Sequence, residues 1–346
     1  MLITYKRFFL FFSLISVTVV MTSCQLHLSP NSPLQQKLNH DLDGMLAASF
    51  SSYNLSIDGD WLGLIEDGKL RVEPALTSGD VKFFELDNIG KYLYTNSWSP
   101  NKKMVAISGS EALGKCAEDR VGILNVKDTN EKATIFNLPD DDKGCLGAAW
   151  SPDSSYVAIY NGKNQIVYIL DITSRLVRKI EFGGHNHINV IWTAKGLIVD
   201  AYNGVIDEIR MYPSPLDSEI YKVLFKDYSG IVWANSESGD ALLVNRQGEL
   251  KTLNSTTQEV TEIDRLKGSI SGEARESIPP RWIGFIAYPL PSTKIEDRHL
   301  YVFDWDTNQF KDFGKAVFLF GWSSDMKGFI VVKDDLKKYQ VDVVKP

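Results

Sequence analysis

Trp98-Ser-Pro-Asn-Lys-Lys-Met-Val-Ala-Ile107 returns 52 residues later as Trp150-Ser-Pro-Asp-Ser-Ser-Tyr-Val-Ala-Ile159, and a looser copy stands at Trp322-Ser-Ser-Asp-Met-Lys-Gly-Phe-Ile-Val331. Each copy reads as a strand, a tight turn and a second strand. The fixed φ of Pro100 and Pro152 suits the second position of a type I turn, and Asn101 and Asp153 tolerate the third. A second marker recurs in phase: Val121-Gly-Ile-Leu-Asn125, Val167-Tyr-Ile-Leu-Asp171 and Tyr301-Val-Phe-Asp304, whose last residues lie 21 to 27 positions past a Trp. Seven of the eight Trp fall at 61, 98, 150, 192, 233, 282 and 322, spaced by 37 to 52 residues. A period of roughly 40 to 45 residues is what four-stranded propeller blades require.

Between the markers the chain is built of short β-branched and aromatic runs bounded by Gly, Asn, Asp and Ser, with no sustained 3.6-residue periodicity. The expected fold is therefore an all-β propeller of four-stranded blades over residues 46–346. Seven blades fit the seven Trp, and six longer blades or a two-sheet sandwich are the alternatives. Each Trp is expected to end an innermost strand. The last unit, from Trp322 to Pro346, holds too few strands for a blade, so a strand from residues 46–58 is expected to close the ring and remove its free edges.

The Trp-Ser-Pro-Asn/Asp hairpins at Trp98 and Trp150 resemble the WD40-like propeller repeats of the TolB type, whose blades carry a Trp/Phe-Ser-Pro-Asp-Gly hairpin. The resemblance is fair at Trp322 and weak at Trp61, Trp192, Trp233 and Trp282. It implies a fold and an envelope compartment, and it transfers no function.

Residues 1–23 resemble an export signal: Lys6 and Arg7, an apolar run from Phe8 to Met21, then small residues. The run is shorter than the roughly 18 residues a membrane-spanning helix needs. Met21-Thr-Ser-Cys24 resembles the bacterial lipobox, which implies that Cys24 is lipidated and becomes the first residue of the mature chain. By the same resemblance, Gln25 in the following position implies the outer membrane rather than the inner. Residues 24–45, with Ser29-Pro30 and Ser32-Pro33, read as a lipidated tether.

The 346 residues carry 37 Lys and Arg against 44 Asp and Glu, a net charge of −7 that offers no clustered cations for nucleic acid. Three Cys are too few for a disulfide scaffold. In an exported chain one bridge between Cys116 and Cys145 is expected, because the blade register puts both on one side of one blade.

Loops between second and third strands open on the same face as the connections from one blade to the next. The long loops 109–119, 139–146, 268–280 and 289–298 all belong to that face. Glu111 and Lys115 on the first, Glu273, Arg275 and Glu276 on the third, and Lys294, Glu296 and Arg298 on the last make a mixed-charge rim suited to selecting a partner.

Motifs for chemistry fail one by one. His185-Asn-His187 lacks a third metal ligand, and Asp140-Asp-Asp142 lacks the spacing of a calcium loop. Gly321-Trp-Ser323 lacks the second Gly of a nucleophile elbow, and no phosphate-binding Gly motif occurs. No catalytic residue, metal or cofactor is expected. The expected role is a periplasm-facing, lipid-anchored module that binds an envelope protein or peptide, in envelope maintenance or as an inhibitor or immunity protein. The alternative is a propeller enzyme, a glycosidase or lyase, with carboxylates or His187 in the central channel.

Overall fold

A computed structural model describes residues 26–27, 54–55, 61–66, 68–74, 79–86, 89, 92–110, 120–127, 132–138, 146–161, 166–181, 187–202, 207–216, 220–226, 229–245, 249–266, 268–277, 279–289, 294–323, 327–334 and 339–346. These form seven antiparallel sheets of four strands. After β1 (Leu26–His27), blade 1 comprises β2 (Asn54–Leu55), β3 (Trp61–Glu66), β4 (Lys69–Pro74) and β5 (Lys82–Glu85). Blade 2 comprises β6 (Tyr92–Trp98), β7 (Met104–Ser110), β8 (Arg120–Asn125) and β9 (Thr134–Asn137). Blade 3 has β10 (Leu146–Trp150), β11 (Tyr156–Asn161), β12 (Ile166–Asp171) and β13 (Val177–Glu181), and blade 4 has β14 (His187–Thr193), β15 (Gly196–Tyr202), β16 (Asp207–Tyr212) and β17 (Lys222–Lys226). Blade 5 has β18 (Ser229–Ala234), β19 (Ala241–Asn245), β20 (Glu249–Leu253) and β21 (Val260–Arg265). Blade 6 has β22 (Gly268–Glu276), β23 (Trp282–Pro289), β24 (His299–Asp304) and β25 (Gln309–Lys315), and blade 7 has β26 (Phe318–Ser323), β27 (Gly328–Asp334) and β28 (Tyr339–Val344).

The first strand of each blade lies innermost and neighbours its counterparts in order, with β26 meeting β2, so the ring closes. β1 supplies the outermost strand of blade 7, Leu26 opposite Val343 and His27 opposite Asp342. This corrects the expected closing strand. Asn54–Leu55 follows no outer edge: five residues separate it from β3, so it must pair beside β3 and becomes the innermost strand of blade 1. Blade pairing thus reaches into the segment read from sequence as a tether.

The core lies between blades rather than inside one layer. Val121, Ile123 and Phe136 of blade 2 pack with Trp150, Ile159 and Tyr168 of blade 3. Equivalent clusters join blades 1 and 2, 3 and 4, 4 and 5, 5 and 6, and 6 and 7. Because neighbours cover both faces of a middle strand, β12 is apolar and buried along Ile166–Leu170 instead of alternating.

Both sequence markers are turn devices. Lys102 N–H closes the turn on Ser99 O at 2.9 Å, and Ser154 N–H does so on Ser151 O at 2.8 Å, which leaves Pro100 and Pro152 in the positions expected for them. The buried Ser hydroxyls accept the amides of Met104 and Tyr156, each at 2.9 Å, and Ser151 donates to Asp153 at 2.6 Å. That bond is the main reason the Asp153 carboxyl sits below its ordinary value. The second marker ends each third strand with a side chain that caps the next turn. Thr173 and Ser174 amides both donate to Asp171 at 2.9 Å, and the Asp306 amide donates to Asp304 at 3.0 Å. The residue leaving these turns is left-handed: Lys102 (φ 58), Ser154 (φ 64), Arg175 (φ 60) and Asn308 (φ 54).

Trp98, Trp150, Trp192, Trp233 and Trp322 stand in innermost strands, but Trp61 and Trp282 open second strands instead. The pairing shows why. Trp98 faces Val105 and Trp150 faces Val157, seven positions on, and the same offset pairs Leu55 with Leu62 and Glu276 with Ile283. Leu55 and Glu276 therefore hold the Trp position of blades 1 and 6. Trp61 and Trp282 replace Met104 and Tyr156, six positions further along the hairpin.

Candidate functional site

Four-stranded blades send their connections to two faces. Loops between second and third strands, and connections between blades, open on one side, called the loop face. Turns between first and second and between third and fourth strands make the other, the turn face. The expected rim belongs to the loop face, and the structure keeps only part of it. Glu111, Lys115, Cys116, Cys145, Asp140 to Asp142 and His185 lie outside the described residues, as does Cys24, so neither the bridge nor the lipid site is visible. His187 begins β14, where its backbone pairs with Tyr202.

Glu273, Arg275 and Glu276 leave the rim, because Gly268–Glu276 is the innermost strand of blade 6 rather than a loop. Its polar sequence reads as a loop because an innermost strand borders the channel and needs no continuous apolar face. Pairing with β23 shifts between Ser271 and Arg275, a bulge that interrupts the alternation a strand normally announces. The strand enters from the loop face, so Arg275 and Glu276 reach the turn-face end.

Lys294 and Glu296 remain exposed on the loop face, in and beside the short 3-10 helix Ile295–Asp297. Arg298 is anchored instead. Its Nη1 donates to Val317 O at 3.0 Å, its Nη2 donates to the Tyr288 hydroxyl, and its guanidinium lies 4.6 Å from the centre of the Tyr288 ring. It fastens the long loop of blade 6 to the start of blade 7, a fixing role that a charge count along the sequence cannot distinguish from partner contact. Lys315 and Asp297 add an exposed pair at 3.5 Å.

Of the three residues that move from the expected rim into this strand, Glu276 has the most unusual electrostatics. Its Oε2 accepts the Trp233 indole N–H at 2.8 Å. Trp233 belongs to the apolar cluster of blades 5 and 6, with Leu242, Leu250, Phe285 and Phe303, and meets Trp305 edge-on at 5.0 Å. Burial pushes the Glu276 carboxyl up to about 7, opposed only in part by the indole donor. The alignment of Glu276-Ser277 with Trp98-Ser99 and Trp150-Ser151 was the available signal. Trp282 N–H donates to Ser277 Oγ at 2.9 Å, just as Met104 and Tyr156 amides do to their serines.

Elsewhere the innermost strands are clamped to one another. Trp150 Nε1 donates to Ser97 O at 3.2 Å, and Asn189 Nδ2 donates to Ile231 O at 3.1 Å. On the outer strands of blade 4, Glu208 bridges Arg210 at 2.8 Å and Lys226 at 3.0 Å. Among the described residues no group of three or more His, Cys, Asp or Glu could hold a metal ion, and no helix is long and apolar enough to cross a membrane.

No protein-family model matches the chain, and no curated protein matches it. Solved structures do. A chain of the mitotic checkpoint complex is similar at 12% identity and a TM-score of 0.59, over 85% of this chain and 86% of that one. The β-propeller domain of Cps50 (Swd1) from Myceliophteria thermophila is similar at 12% identity and a TM-score of 0.55, over 85% of this chain and 96% of that one. Identity this low carries the fold alone, and together with the seven four-stranded sheets it gives the described residues a WD40-like, seven-bladed β-propeller fold.

Proposed function

We propose that the protein is a lipid-anchored, periplasm-facing module that binds an envelope protein or peptide through its loop face, in envelope maintenance or as an inhibitor of another protein. One observation carries the reading. Seven blades, joined by apolar cores at six junctions and closed where β26 meets β2, form a ring that gathers the loops of distant sequence segments onto one surface, where Lys294 and Glu296 are exposed. Such a frame displays a large preformed surface, and charges at its rim select partners more than they supply affinity. Glu111 and Lys115 complete the surface in this reading.

The test is crosslinked co-purification from envelopes, comparing wild type with a chain neutralised at Glu111, Lys115, Lys294 and Glu296. A partner captured by the wild type and lost from the variant supports the loop face. A partner held equally by both, or none with either, overturns it. The role needs no turnover: panels of glycans, peptides and phosphoesters are expected to stay unconverted. Conversion abolished by one substitution, Glu276→Gln included, replaces this reading with the propeller enzyme.

A further inference from the structure

The position of β1 determines which face an anchor at Cys24 would hold against a membrane. The loop 335–338 joins β27 to β28 on the loop face, so β28 runs toward the turn face. β1 pairs antiparallel to β28, with Leu26 opposite Val343, and so enters from the turn face. Cys24 lies two residues earlier in the sequence. Two residues span at most ~7 Å, so an anchor two residues before Leu26 is tethered to the end of β1 that enters at the turn-face rim of blade 7.

The exposed apolar side chains share that face. Among the described residues they are Val81 (40%), Phe83 (54%), Leu176 (69%), Val177 (43%), Ile220 (78%) and Tyr221 (43%). Every one stands at, or within two residues of, the start of an outermost strand: β5 of blade 1, β13 of blade 3 and β17 of blade 4. Outermost strands start at the turn face, as β1 does. Blades 3 and 4 lie across the ring from blade 7, and blade 1 lies beside it.

Resting on the lipid-anchored reading, we propose that the turn face lies against a phospholipid bilayer, held by the acyl chains of Cys24 at blade 7 and by Leu176, Val177, Ile220 and Tyr221 across the ring. Val81 and Phe83 add a third point. The distribution favours a bilayer over a protein partner. Stable protein interfaces use contiguous patches of roughly 20 to 30 residues a side. Here the apolar residues are few and scattered along a rim, and a planar surface meets them together. Each contact is too small to hold the protein alone, but an anchored chain meets the bilayer at a high effective concentration, so small contacts suffice to orient it. The aromatic body and hydroxyl of Tyr221 suit the headgroup boundary. The loop face is then turned toward the periplasm, free to engage the partner proposed above.

The experiment is photolabelling of the full-length protein in phosphatidylethanolamine and phosphatidylglycerol vesicles by a diazirine borne on a phospholipid acyl chain, with labelled peptides mapped by mass. Labelling at Val81–Phe83, Leu176–Val177 and Ile220–Tyr221 is expected to exceed that at Lys294–Arg298 at least threefold. The double variant Leu176→Glu, Ile220→Glu, whose substitutions fall on exposed side chains and should leave Tm unchanged, is expected to lose the labels of blades 3 and 4. Labels on the loop face, none on the rim of an acylated protein, or rim contact that appears only with added envelope proteins overturns the proposal while the anchor stands. Intact mass reports the anchor separately. If Cys24 carries no acyl group, the lipid-anchored reading falls. Flotation of that protein with the same vesicles, lost in the double variant, still assigns the turn face to lipid, and absence of flotation overturns both.

Discussion

Replacing Glu276 by Gln should change how stability depends on pH. The folded carboxyl titrates at about 7 against an ordinary 4.5. Between those values the folded protein holds a proton that the unfolded chain has released, so stability falls as pH rises through this window and levels off above it. The gap is worth about 3 kcal/mol at about 1.4 kcal/mol per pH unit, an upper figure given that some relaxation accompanies ionisation. Gln keeps a carbonyl oxygen for the Trp233 indole, preserves the volume and cannot ionise. Guanidinium unfolding followed by Trp fluorescence at pH 5, 6, 7 and 8 should show the variant gaining about 2 to 3 kcal/mol over wild type at pH 8, with little gain at pH 5. Asp153 and Asp304 do not intrude, since hydrogen bonds from Ser151 and Arg281 hold them below 3.8 and their contributions are lost only in stronger acid. Variant and wild-type curves that stay parallel from pH 5 to 8 would refute the reasoning.

Three further outcomes follow from the turns and packing. Ser151→Ala removes the hydroxyl that accepts from Tyr156 and donates to Asp153, and should cost about 1 to 2 kcal/mol by equilibrium unfolding. An unchanged midpoint would deny the motif its structural role. Gly196→Ala should destabilise by about 2 to 4 kcal/mol, because φ is +133° and a Cβ would lie 2.2 Å from the Tyr212 carbonyl oxygen. A neutral result in thermal unfolding would mean that the hairpin of blade 4 yields. Lys102→Gly should raise stability by about 0.5 to 1 kcal/mol, since φ is 58°, a left-handed conformation that disfavours any residue carrying a Cβ. A loss of stability there would show that the Lys102 side chain matters more than the backbone relief.

Much of the fold was legible because it is repeated. Trp98-Ser-Pro-Asn and Trp150-Ser-Pro-Asp specify a hairpin through local chemistry, a Pro-fixed turn and a buried Ser accepting the next strand's amide, and local chemistry is what a sequence displays. The Trp count led to the right number of blades by a partly mistaken route. Trp61 and Trp282 belong to second strands, and the inner positions of their blades hold Leu55 and Glu276. Anchoring on the Ser and on the seven-residue offset, rather than on the indole, would have placed the hairpins of blades 1, 2, 3, 6 and 7 alike, the last pairing Trp322 with Phe329. The rim was less legible. Arg298 and Glu296 look equivalent as charges two residues apart, yet one is tied to Val317 and Tyr288 and the other faces solvent.

The sequence by itself determined the class of unit, its period and its turns, because these depend on residues within a few positions of one another. Tertiary structure decided what depends on residues far apart in the chain. The outer partner of β28 is Leu26–His27, more than 300 residues away, and no local pattern distinguishes that closing strand from a neighbouring short apolar segment. The Glu276 carboxyl becomes unusual only when blade 5 lays Trp233 against it, and burial between blades is a property of the assembled ring. Which face carries the exposed apolar rim was settled in the same way, by strand direction around a closed circle.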